Sequence, residues 1–365
     1  MVDSWDLVPR DGTATSILDM ADTPGPQHCL ESVDHDNYLG CIQQANGSND
    51  KNVQERKNRG LEKATNITLM LDELCLGDYY FQSGNILRNS ILLSSLLFSS
   101  EAWYNVTKRQ IQDLEMADET LLRKIFAAHS KTPIELLYTE SGNVPVRFIL
   151  MGRRLNFLWY LLHEERESLL SRFFHAQLSS PGKGDWVLTV QEDIINLEIS
   201  MDMEGITAIS QSSFKTVVRN AVHRKAFQYL QSLQETHSKS KVIKYSELKL
   251  QAYLQPGTEK LTIQEKQFAF RARTRTLDLL GNFKTGKQNI DCRACGKAPE
   301  LQPHLLQCEK LSDSEIVSDP IVYEDIYSED SKKVAALARI LKTKHDQFNK
   351  QIKPSEPVMQ RSAHK

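Results

Sequence analysis

Four side chains near the C-terminus constrain this chain more than any other feature. The stretch reads Cys292-Arg-Ala-Cys295-Gly296 and then His304-Leu-Leu-Gln-Cys308, a C-x2-C-x8-H-x3-C spacing. Two cysteines three apart grip one ion from a tight turn. A His and a Cys four apart share one face of a helical turn and close the tetrahedron. Three thiolates and one imidazole suit Zn²⁺, and four protein ligands leave no position for a reactive water. The spacing therefore predicts a structural zinc module over residues 288–310, with Zn²⁺ as its cofactor and no metal catalysis. Gly296 fits the turn because glycine tolerates positive φ. The alternative is a set of reduced thiols with His304 packed beside Leu305 and Leu306.

With 365 residues, 40% hydrophobic and 25% charged, the chain has room for two or three domains. Cys29, Cys41 and Cys75 are scattered, which fits a reducing compartment, nuclear or cytoplasmic, rather than a secreted disulfide framework. The N-terminus carries Asp3, Asp6 and Asp11 with no basic region ahead of an apolar run, so no secretory signal is expected. The most apolar runs, 91–98 and 148–162, are broken by Ser94 and Ser95 and by Arg153 and Arg154. Neither offers the ~20 apolar residues of a membrane span, so no membrane partner is expected.

The net charge of −2 hides an asymmetry, because residues 215–297 hold 17 Lys/Arg against 6 Asp/Glu, a net of +11. A basic block running into a metal module predicts a nucleic-acid binder, with RNA or DNA as partner. Lys266, Arg271, Arg273, Arg275, Lys284 and Lys287 are its candidate phosphate contacts. Arg271 and Arg275 are four apart and share a helical face. Phe268, Phe270 and Phe283 interleave with these cations as possible stacking platforms, although Phe at helical spacing is more often core. The plainer reading of the block is a solvated helical surface.

Apolar periodicity predicts a mainly α fold: a helical bundle, a basic helical region and a small zinc module. The expected divisions are an acidic loop over 1–35, a helical domain over 36–180, the basic region over 185–287, the zinc module over 288–310, an acidic linker and helix over 311–349, and a polar tail over 350–365. Thr107-Lys-Arg-Gln110, Thr132-Pro-Ile-Glu135 and Thr262-Ile-Gln-Glu265 have the form of helix starts. Val144-Pro145 introduces the most apolar helix, Asp185 is a candidate cap, another helix is expected near 212–234, and Gly281 is a candidate stop. The clearest strand signal is Tyr38-Leu-Gly-Cys-Ile42.

No catalytic constellation is visible. His163-Glu-Glu165 lacks the second His of a zinc-protease helix, and there is no glycine-rich phosphate loop. Several stretches instead resemble one family. Tyr38-Leu-Gly40, Gly47-Ser-Asn-Asp50, the run from Leu87 to Tyr104, Leu121-Leu-Arg-Lys124, Ser130-Lys-Thr-Pro133, Arg153-Arg-Leu-Asn156, Phe270-Arg-Ala-Arg273, Asn282-Phe283 and the Cys-Cys-His-Cys site are similar to the part of a LINE-type (non-LTR) retrotransposon reverse transcriptase that follows its palm. The resemblance covers about residues 36–310. It implies a thumb-like role for the helices from about 52 to 178 and handling of RNA or DNA by the basic region and zinc module. The family polymerises with a Tyr/Phe-x-Asp-Asp pair holding Mg²⁺, and that motif does not occur here. The expectation is therefore a truncated, catalytically inactive fragment that binds nucleic acid and is not an enzyme. The rival expectation is a host regulatory zinc protein acting through protein–protein contacts.

Overall fold

A computed structural model describes residues 33–38, 40–238, 240–257, 260–283, 289–311 and 322–352. The expected acidic loop and polar tail fall almost wholly outside these residues, as do Lys284 and Lys287. The chain divides between Glu55 and Arg56 into two compact units.

The first unit contains an antiparallel hairpin, β1 (His35–Tyr38) and β2 (Cys41–Gln44), with Tyr38 opposite Cys41 and His35 opposite Gln44. The strand expected over 38–42 is thus two strands, because the chain reverses between Tyr38 and Cys41. Gly40 adopts φ +81 there, a value that disfavours any side chain. Helix α1 (Asp50–Glu73) begins in this unit, where Gln44 Oε1 accepts from the Lys51 amide at 2.7 Å.

The second unit is mainly helical over its described residues, in keeping with the expected mainly α class. After α1 come α2 (Tyr80–Leu87), a π-helical turn (Arg88–Leu92) and α3 (Leu93–Leu96). Then follow α4 (Lys108–Ile125), α5 (Ile134–Ser141), α6 (Val146–His163), α7 (Leu169–Ser179), α8 (Trp186–Asn196), α9 (Met203–Ala208) and the long α10 (Gln211–Thr236). The last are α11 (Ile263–Arg273), α12 (Leu280–Phe283), α13 (Gln302–Gln307) and α14 (Ser331–Gln351).

Two of the three expected capping boxes form. Thr107 Oγ1 accepts from the Gln110 amide at 3.2 Å while Gln110 Oε1 accepts from the Thr107 amide at 2.8 Å, and Thr262 and Glu265 repeat this at α11. The third does not. Pro133 is the N-cap of α5, the Thr132 hydroxyl is buried without a hydrogen-bond partner, and Glu135 turns inward. The stop expected at Gly281 is also misplaced. Helix α11 ends at Arg273 with Arg275 at φ +53, and Gly281 lies inside α12.

Apolar side chains collect into two main clusters. One joins Ile67, Phe81, Leu121 and Phe126 to Phe270, Leu305 and Leu337, so helices from both ends of the second unit share a core. Cys292 and Cys308 belong to it. Phe126 and Phe270 meet at a ring-centroid distance of 4.4 Å, and Phe268 is buried beside them. The other cluster packs α6 against α8 and α10 through Leu155, Leu158, Val187, Val190, Phe214 and Val218.

Each region also encloses an ion pair. Arg88 donates from Nε and Nη2 to the two Asp118 oxygens at 2.6 Å each, and the Tyr138 hydroxyl donates to Asp118 Oδ2 at 3.0 Å. Arg154 holds Asp193 in the same bidentate way at 2.6 and 2.8 Å. Removing one member of such a pair strands a buried charge, at a cost of about 3–5 kcal/mol. Arg88→Ala should therefore lower the urea-unfolding free energy by about that amount. An unchanged midpoint and slope would contradict the assignment.

Candidate metal centre and nucleic-acid interface

The segment around Cys292 folds back on itself. The Cys292 amide donates to Ala298 O at 2.8 Å and the Gly296 amide to Cys292 O at 2.7 Å, which forms a tight knuckle with Gly296 at φ +68. Asp291 and Pro299 bridge antiparallel beneath it. Pro303 lies in the first turn of α13, a place where no amide hydrogen is needed, and that helix carries His304. Cys308 sits at its end. The ligand atoms of Cys292, Cys295, His304 and Cys308 all lie within 4.8 Å of one another, with Cys295 Sγ 3.3 Å from His304 Nε2. The four residues expected from spacing alone thus form a group able to hold a metal ion. Burial pushes the Cys308 thiol up to about 11, whereas a hydrogen bond from the Lys297 backbone lowers that of Cys295.

A carboxylate inside the module fixes its orientation. Glu300 is fully buried and accepts from Arg293 Nε at 2.9 Å, Arg293 Nη2 at 2.7 Å and the Arg293 amide at 2.9 Å. It also accepts from the Leu280 amide at 2.8 Å. The residue after the first cysteine is therefore tied to α12, and the Arg293 guanidinium lies over the Phe348 ring of α14 at 5.3 Å.

The expected phosphate contacts are dispersed. Arg273 is fully buried. Its Nε donates to Glu140 Oε1 at 2.8 Å and its Nη1 to Ile326 O and Ser328 O at 2.5 and 2.9 Å. Lys266 is equally buried, with Nζ donating to Gln255 O at 3.0 Å and lying 3.5 Å from Asp78. These two cations cannot reach a phosphate without breaking the core, and that expectation is corrected. Arg271 is half-buried over the Phe268 ring at 5.9 Å, with its Nε enclosed and lacking a hydrogen-bond partner. Desolvation holds its pKa below the usual arginine range. Arg275 donates from Nε to the Tyr327 hydroxyl at 2.8 Å. Lys284 and Lys287 lie outside the described residues.

A different set of cations is exposed. Lys215 and Arg219 stand four residues apart along the solvent side of α10, and His223 follows, its pKa held below the usual histidine range by desolvation and then by Arg219. Neither Lys215 nor Arg219 has a salt-bridge partner among the described residues. Together with Arg153 they line a cleft of about 350 Å³ between α10, α6 and the π-helical turn. The basic-block reading included Lys215 and Arg219 without singling them out. Their i, i+4 spacing on an expected helix was the available signal.

No protein-family profile, no curated protein and no solved structure matches this chain.

The contrast between Arg273 and the half-exposed arginines generates a test. Arg273→Ala should destabilise the fold by about 3–5 kcal/mol, since it strands Glu140. The exposed double change Lys215→Gln with Arg219→Gln should shift the urea midpoint little. An Arg273→Ala protein of unaltered stability would reverse the structural assignment.

Proposed function

We propose that this chain holds RNA or DNA without catalysing its synthesis, as the thumb-and-zinc portion of a LINE-type reverse transcriptase. The observation that carries the nucleic-acid reading is the exposed Lys215–Arg219 row on α10, which has no carboxylate partner among the described residues and so leaves its charge available to phosphates. The Leu87–Tyr104 stretch that bears most of the family likeness supplies the π-helical turn facing that row.

Zinc is the metal that best suits the Cys-Cys-His-Cys group. Tetrahedral Zn²⁺ bound at ~2.3 Å to sulfur and ~2.0–2.1 Å to nitrogen puts those atoms about 3.5 Å apart, close to the 3.3 Å between Cys295 and His304. Four protein ligands make the site closed and structural. Protein purified without chelator should carry one equivalent of Zn²⁺, and Cys295→Ser should lose it. Because binding supplies folding free energy on the order of 10 kcal/mol in small zinc modules, the same change should open residues 289–311 to proteolysis. Elemental analysis giving less than half an equivalent would remove zinc from the proposal.

A rival reading rests on α7, whose Leu169, Leu170 and Phe173 are exposed, a surface suited to protein contact. Salt dependence separates the two. Phosphate contacts release counterions, so each contributes about −0.9 to the slope of log K against log salt on duplex DNA, or about −0.7 on single strands. Lys215 and Arg219 alone should give a slope of about −1.4 or steeper in a filter-binding titration. A flat slope favours the protein-contact reading.

A further inference from the structure

We infer that the cleft between α6, α10 and the π-helical turn is a nucleotide site that takes a phosphate on Lys215 and Arg219 and the attached sugar or base on asparagine amides. The inference rests on the nucleic-acid reading above and narrows it to one place.

The charge of the walls favours an anion. Among the described residues no acidic side chain lines the cleft, whereas Arg153, Lys215 and Arg219 do. Arg153 donates to the carbonyl oxygens of Leu97 and Leu93 and feels the Glu101 charge, so the anion-binding charge of the cleft comes from Lys215 and Arg219. The one other arginine in the wall, Arg88, is neutralised by Asp118. Uncompensated cations in a concave, partly desolvated site attract an anion more strongly than the same charges on an open surface.

The amides of the walls add hydrogen-bonding chemistry. Arg88 Nη1 donates to Asn89 Oδ1 at 3.2 Å and to Asn143 Oδ1 at 3.1 Å. The Asn89 carbonyl is therefore committed, which leaves its NH₂ as the exposed donor at the cleft wall. Asn156, on the opposite wall, has its Oδ1 enclosed with no hydrogen-bond partner. Asn156 Oδ1 is closed to solvent as it stands, and an outward rotation of the side chain would let a sugar hydroxyl or an exocyclic base amine supply the donor it lacks. Phosphate acceptors fit Lys215, Arg219 and Asn89, and a donor fits Asn156, so the walls together match a nucleotide better than a simple anion. The π-helical turn itself belongs to a class of distortion that recurs at functional sites.

Two sources present this chemistry, the backbone of a single strand and a free mononucleotide. Binding of the full chain to a fluorescent single-stranded 12-mer and to AMP is measured for wild type and two double variants. Lys215→Gln with Arg219→Gln alters the cleft. Lys241→Gln with Lys244→Gln removes the same charge from exposed positions elsewhere. Both pairs are solvent-facing, so both proteins should fold. The cleft pair should weaken 12-mer binding about tenfold at 0.15 M salt, and the control pair far less. Asn156→Leu, which supplies no acceptor, should weaken it further at an unchanged salt slope. Equal losses in the two pairs overturn the cleft and leave the nucleic-acid reading standing. AMP binding that is lost in the cleft pair, with no 12-mer binding by wild type, keeps the cleft and removes the nucleic-acid reading. Wild type that binds neither probe removes both.

Discussion

One buried carboxylate organises the C-terminal half of this protein. Glu140, fully enclosed at the end of α5, accepts from the Tyr245 hydroxyl at 2.5 Å, the Tyr253 hydroxyl at 2.8 Å and Arg273 Nε at 2.8 Å. Burial, and then the Glu140 charge, raise both tyrosines well above their ordinary range, so both remain donors. Arg273 extends the network to the carbonyls of Ile326 and Ser328. A buried ion pair earns stability only when its remaining lone pairs and protons are also satisfied. Here four chain segments must be in register at once. The backbone follows suit: the Gln251 amide donates to Glu140 O at 3.1 Å, and Gly142, at φ +71, passes so close that a Cβ would lie 2.3 Å from the Leu250 nitrogen. Any larger residue at 142 would separate α5 from the segment that leads into α11.

That network explains why the basic block was legible as a charge count but not as a surface. A window over 215–297 sums its own residues, whereas several acids that neutralise it lie elsewhere in sequence. Arg273 pairs with Glu140, Lys266 with Asp78, Lys225 with Glu198, Arg293 with Glu300 and Lys297 with Glu309. Pairing at separations other than those of a helical face leaves no local pattern. The metal group was legible because its ligands fall within seventeen residues and its geometry is set by a knuckle and one helical turn. The capping boxes at Thr107 and Thr262 were legible for the same reason. The Thr132 box failed through a tertiary demand, since Glu135 Oε1 accepts from Ser240 Oγ and lies 2.7 Å from His237 Nδ1 and is not free to cap.

The Arg153-Arg154 pair shows how helix geometry divides adjacent, identical residues. Successive side chains on an α-helix point about 100° apart. On α6 this sends Arg154 inward to Asp193 and Arg153 toward the carbonyls of Leu93 and Leu97, at the two ends of α3. In the sequence the pair interrupts an apolar run and argues only against a membrane span. In the fold one member is structural and the other lines the cleft. Close approach of α10 makes the arrangement possible, because Gly152 presents no side chain where a Cβ would stand 3.2 Å from Val222.

The cleft draws its walls from both cores. Asn89 follows α2, whose Phe81 lies in the cluster shared with Cys292, Cys308 and Leu305, whereas Lys215 and Arg219 stand on α10, whose Phe214 and Val218 lie in the other. A ligand that bridges these walls would stabilise their native spacing by the linkage RT ln(1 + [L]/Kd), about 2.7 kcal/mol at a hundred times Kd. The metal group acts on the same assembly from one side, since the helix that carries His304 contributes Leu305 to the first core. If the group holds a metal, its loss would loosen α13 and with it part of the packed cluster that also contains Phe81 of α2. Such coupling requires no conformational switch, only that two sites draw on one set of packed side chains.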